Sequence, residues 1–200
     1  MPSKKEVWSE FSDEINAVYI ARKGFNEPFI VHEYNGFNIA LTTYVISTGN
    51  SYVTYTTVFV AFLNSKEIQF KLTKKNFIHR LFKTSSKKII ETGQVEFDYS
   101  YRIKGNNDIY ISKIFADYDL QDLLSKQKQM YLAVNTNKGV FKKLNKNVNK
   151  KLRLKPREDI SILYFKHTGV IKDKKRLEDL INLFEKLVDK FLDLNIIQRG

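Results

Sequence analysis

Seven apolar residues, Leu177, Leu180, Ile181, Phe184, Leu187, Val188 and Phe191, recur three and four apart, a spacing that sets them on one side of a helix. Asp173 stands where an N-cap belongs, with Gly169 in the turn before it, and the pattern predicts a helix to about Leu194, on the order of 30 Å long. A rod of that length with one continuous apolar face needs a broad apolar floor. The strand-like run Ile160 to Phe165 just ahead of it, and others earlier in the chain, are the material for one.

Those earlier runs are legible in order. Ser3 and Glu6 form a capping box, and Val7, Trp8, Phe11, Ile15, Val18 and Tyr19 follow as a helical face. Pro28 closes any helix, Phe29-Ile30-Val31 is extended, and Asn35-Gly36 is a tight turn. Alternation from Phe37 to Ile46, the turn Ser47 to Asn50, and a second run from Tyr52 to Phe62 predict a long hairpin. Ile68, Phe70 and Leu72 mark a half-buried strand, and Phe77, Ile78, Leu81 and Phe82 a short helix after Asn76. Val95 to Ile103 alternates with Glu96, Asp98, Ser100, Arg102 and Lys104, which reads as one strand with a wet face. Helices capped by Asn107 and Asp119, and a strand from Met130 to Val134, complete a split β-α-β pattern. The expectation is a single α+β domain over residues 1–200. A largely antiparallel sheet, made of an N-terminal hairpin meander and the split β-α-β unit, lies beneath the terminal helix, and a basic surface excursion without a clear period occupies about 136–158.

Charge is where composition enters. The formal net charge is +12, yet nine Lys/Arg fall between Lys138 and Arg157 and seven between Lys71 and Ile90, with no acid in either stretch, which leaves 18 basic against 22 acidic residues elsewhere. The positive field is confined to two segments, and a polyanion is the partner that such segments suit. Lys74, Lys75, Arg80, Lys83, Lys87, Lys88, Lys142, Lys143, Lys146, Lys150, Lys151 and Arg153 are its candidate contacts. Lysine runs that are simply solvated faces are the competing explanation.

The chain has no cysteine and three histidines, His32, His79 and His167, none at metal spacing with a sequence-near carboxylate, so no metal site, cofactor or disulfide frame is expected. No run of apolar residues is long enough to span a membrane, and the first residues lack the apolar centre of a signal peptide, which makes the cytoplasm the expected address. Glycine-rich phosphate loops, nucleophile elbows and zinc-helix motifs are missing.

Several phrases, namely Tyr34-x-Gly36-Phe37, Thr43-Tyr44-Val45-Ile46-Ser47-Thr48-Gly49-Asn50-Ser51, Phe97-Asp98, Ile103-Lys104-Gly105-Asn106 and Gly169-Val170-Ile171-Lys172-Asp173 with Arg176-Leu177, together resemble a prokaryotic family of uncharacterised soluble proteins. The resemblance runs from Trp8 to the terminal helix, implies one compact domain, and implies no chemistry. Three functional expectations result: a non-enzymatic cytoplasmic binding domain of unknown ligand, a nucleic-acid-associated protein using segments 71–88 and 138–157, and an enzyme with a pocket near Asp98, Arg102 and Asn106.

Overall fold

A computed structural model describes residues 2–21, 27–47, 49–75, 88–136, 139–152 and 160–198. Its elements in chain order are α1 (Lys4–Glu14), β1 (Val18–Ile20), β2 (Phe29–Tyr34), β3 (Phe37–Ser47), β4 (Tyr52–Phe62), β5 (Phe70–Lys74), β6 (Lys88–Ile90), α2 (Val95–Ser100), β7 (Tyr101–Gly105), α3 (Asp108–Phe115), α4 (Tyr118–Ser125), β8 (Tyr131–Thr136), α5 (Gly139–Leu152), β9 (Ser161–Thr168) and α6 (Lys174–Asp193). The strands form one sheet in the order β1-β2-β3-β4-β9-β8-β5-β7-β6, every neighbouring pair antiparallel. The expected α+β architecture is present. β7 and β8 flank β5 and each runs antiparallel to it, so the unit β7-α3-α4-β8 is a β-α-β whose strands are split by β5.

One face of this sheet is the floor that α6 requires. Residues paired across neighbouring strands share a face, and one such row reads Leu41, Val58, Phe165, Leu132, Leu72, Ile103 and Ile90. These seven join the buried faces of α1, α3, α4 and α6 in the principal core. Leu177, Leu180, Phe184 and Leu187 of α6 are wholly buried in it, and full burial of each such side chain contributes about 1.5–3 kcal/mol. Asp173 caps α6 by accepting from the Arg176 amide, and Leu194 closes it. The Ser3–Glu6 capping box opens α1, whose Trp8 donates its indole N–H to the Ile171 carbonyl at 2.9 Å. A polar seam ties β2 to the outer side of α6: His32 Nε2 lies 2.7 Å from Glu185 Oε1, and Tyr34 and Asn35 both donate to Asp189 one turn further on.

Four expectations need correction. The alternating run from Val95 to Ile103 is a turn of helix followed by a strand. Asp98 causes the change. Its carboxylate accepts from the Thr92 and Gly93 amides and the Thr92 hydroxyl, which requires the chain to coil back, and Phe97 is then buried against Tyr101, ring centroids 4.5 Å apart. The first helix ends at Glu14, and Val18 and Tyr19 belong to β1. The cap of α4 is Asp117, accepting from the Leu120 amide, rather than Asp119. Finally, the excursion read as lacking a period contains α5. The spacing of Val140, Phe141, Leu144, Val148 and Leu152 in the sequence does suit a helix, but lysines and asparagines between them dilute the signal. The short helix expected after Asn76 lies outside the described residues.

Candidate functional site

The opposite face of the sheet has a different character. One row across it reads Phe59, Tyr164, Ala133, Lys71 and Lys104, and the next reads Thr57, Lys166, Tyr131, Thr73 and Arg102. Beside Thr57 the alternation brings up Tyr55, paired with Tyr44. Over the β3-β4-β9 end this face is apolar and covered: Phe29, Val31, Ala40, Phe59, Ile162 and Tyr164 form a second core with Leu144 of α5. Past Ala133 it turns basic. Lys71, Lys104, Lys166 and Arg102 rise from β5, β7 and β9, half-buried, around Tyr131 and Thr73.

The contacts within this patch are specific. The ammonium groups of Lys71 and Lys166 both lie 4.8 Å from the centre of the Tyr131 ring, and Lys166 is also 5.0 Å from that of Tyr55. Tyr131 is stacked with Tyr164 at 5.7 Å and Tyr55 with Tyr44 at 5.3 Å. Burial first, then the neighbouring charges of Lys166 and Lys104, hold the Lys71 ammonium below the usual lysine pKa; burial does the same to Lys166. Cations gathered on one ring repel each other in a partly dry setting. Thr73 is 1% exposed, and its hydroxyl makes no hydrogen bond among the described residues.

The basic residues singled out from the sequence divide between the two faces. Lys142, Lys143, Lys146 and Lys150 are exposed on α5, the helix seated on the Lys71 face through Leu144, and Lys151 lies in the same helix. Lys74 shares the face of Leu72 and Ile103, close to the Ser125 carbonyl and the Tyr101 ring. Lys75 approaches the Tyr99 ring, and Lys88 pairs with Asp108 at 3.2 Å near the far edge of the sheet. Arg80, Lys83, Lys87 and Arg153 lie outside the described residues. Lys166, Lys104, Tyr131 and Tyr55 are not among those basic candidates; each lies on the sheet face turned away from the principal core, the two tyrosines packed against the second core. The pairing order that assembles them was not available from the chain.

Asp98, Arg102 and Asn106 each have a separate engagement. Asp98 is engaged by Thr92 and Gly93, Arg102 stands on the basic face, and the Asn106 amide accepts from the Gln69 N–H and donates to the Glu67 carbonyl. Among the described residues no group of three or more His, Cys, Asp or Glu is placed to hold a metal ion, and no helix is long and apolar enough to cross a membrane. An open groove of about 690 Å³ runs between β6 and α3, lined by Lys88 to Glu91 with Asp108, Ile109 and Ser112.

His167, on the α6 side of β9, faces Arg176, whose two terminal nitrogens sit 3.4 and 3.1 Å from its ring nitrogens while Nε donates to Gln127 Oε1. Burial, and then the guanidinium charge, push the His167 pKa down to about 4, against a hydrogen bond to the Gln129 carbonyl that would raise it. The folded state therefore favours neutral His167. Its contribution to stability is complete above the ordinary pKa of about 6.5 and is lost as pH falls from there toward 4. Discounted for partial solvent exposure, the loss between pH 7 and pH 5 is about 1 kcal/mol. Urea unfolding at the two pH values should show it in the wild type and not in His167→Gln; equal pH dependence in both would remove His167 as the cause.

No protein-family model, curated protein or solved structure matches the chain, so fold and site rest on their own geometry.

Proposed function

We propose that the protein is a non-enzymatic cytoplasmic binding domain for an anionic polymer, which lies across the basic face of the sheet beside α5. The observation that carries this reading is the gathering of Lys71, Lys104, Lys166 and Arg102 on one sheet face, with the exposed lysines of α5 on the same side. A solvated charge run needs no such focus, because lysines dispersed on separate surfaces repel less. Strand pairing places these side chains without any loop to order, so little conformational freedom is lost on binding.

Retention on immobilised heparin and competition by inorganic polyphosphate test the reading. Wild-type protein should be retained at low salt, with an affinity that falls steeply as salt rises. Replacing Lys71, Lys104 and Lys166 together by Gln should weaken polyphosphate binding by about tenfold or more. The same change of charge at Lys113, Lys128 and Lys172, which are exposed elsewhere, should have a much smaller effect. Equal losses in the two triple variants, or no retention at low salt, would overturn the proposal.

A further inference from the structure

The lysines of the basic face do more than supply charge, since two of them cover a ring. Lys71 reaches Tyr131 from β5 and Lys166 reaches it from β9, the strands on either side of β8, and both ammonium groups end at the same distance from the ring centre. A lysine over an aromatic ring gains cation–π attraction, yet a second lysine on the same ring adds repulsion to it. Long flexible stems allow either ammonium to swing outward when an anion arrives. That movement exposes more of Tyr131, whose cross-strand partner Thr73 has a hydroxyl with no hydrogen bond among the described residues. Tyr55, two strands away with Lys166 between, repeats the combination of ring and cation.

We infer that Lys71 and Lys166 stand in for a nucleobase over Tyr131, and that the polymer bound is single-stranded nucleic acid whose phosphates draw the two ammonium groups off the ring while a base takes their place. This rests on the polyanion reading and narrows it. Polyphosphate or a sulfated polysaccharide would satisfy the lysines but leave the rings unused. A duplex presents phosphates with its bases already stacked inside, so it too has nothing for Tyr131 and Tyr55. Stacking on tyrosine accepts any base, because every base has a π face, and sequence preference is therefore weak.

The test compares two fluorescein-labelled ten-nucleotide strands by anisotropy at low salt, one of thymidines and one abasic throughout with the same phosphate backbone. The thymidine strand should bind at least about tenfold tighter, as expected for one or two stacked bases. Tyr131→Leu should bring its affinity down toward that of the abasic strand and leave the abasic strand unchanged, whereas Tyr131→Phe should keep the preference. Tyr55→Leu gives an independent reading should Tyr131→Leu fail to fold. Equal affinity for the two strands, tighter binding of a ten-base-pair duplex, or an equal loss on both strands in the leucine variants would overturn the inference while leaving the polyanion reading in place. Failure of both strands to bind would remove that reading as well.

Discussion

Replacing Phe184 by Ala is expected to cost about 3–5 kcal/mol, a large part of the 5–15 kcal/mol by which a domain of this kind is usually stable. The ring lies at the middle of α6, wholly buried, in the core that joins the helix to the sheet. Deleting it removes apolar burial and leaves a cavity that neighbours on a long rod and a nine-stranded sheet cannot collapse to fill. In a chain of this length the thermal midpoint should fall by on the order of 10 °C. Glu178→Ala, on the solvent side of the same helix, removes an ion pair with Lys175 and should change stability by less than about 0.5 kcal/mol. Chemical denaturation of the two variants is the measurement. A small loss for Phe184→Ala would mean that α6 does not hold the sheet.

Gly105→Ala is the second large effect, through overpacking instead of a void. A Cβ at that position would stand 2.4 Å from Ile111 Cδ1, 2.9 Å from Ile90 Cδ1 and 3.0 Å from the Gln69 carbonyl oxygen. The isoleucine ends can turn aside, but the carbonyl belongs to the backbone beside β5 and yields less. The cost should be about 1–3 kcal/mol, with faster hydrogen exchange in β6, whose pairing to β7 places Lys88 opposite Gly105. Combining it with Ile111→Ala should cost less than the sum of the two single changes, because the nearest clash is then gone. Simple additivity would mean that the close approach to Ile111 does not set the requirement for glycine. Gly105 looks like a turn residue in Gly105-Asn106-Asn107, whereas its place at the end of β7 is one of close packing.

That reversal shows where the sequence stops being informative. Helix α6 could be read almost to the residue because cap, period and length all agree locally, and the β3–β4 hairpin because its alternation runs far beyond any turn. Helix α2 could not, since Asp98 and Thr92 must meet before either strand or helix is preferred over the six residues from Val95. Helix α5 was obscured for another reason: eight of its fourteen residues are lysine or asparagine, which serve a surface helix as readily as a loop.

The chain by itself determined most of its amphipathic elements, the caps of α1, α3 and α6, the antiparallel character of the sheet and the excess of positive charge in two segments, because each depends on residues close in sequence. Only the tertiary structure decided which lysines share a face. Lys71, Lys104 and Lys166 are brought together by the order β9-β8-β5-β7, while Lys74, three residues beyond Lys71, is turned toward α4. The reason is the two-residue period of a strand combined with pairing between distant segments. Alternation tells which side of its own strand a residue occupies, and only the register between strands makes neighbours of residues far apart in the chain.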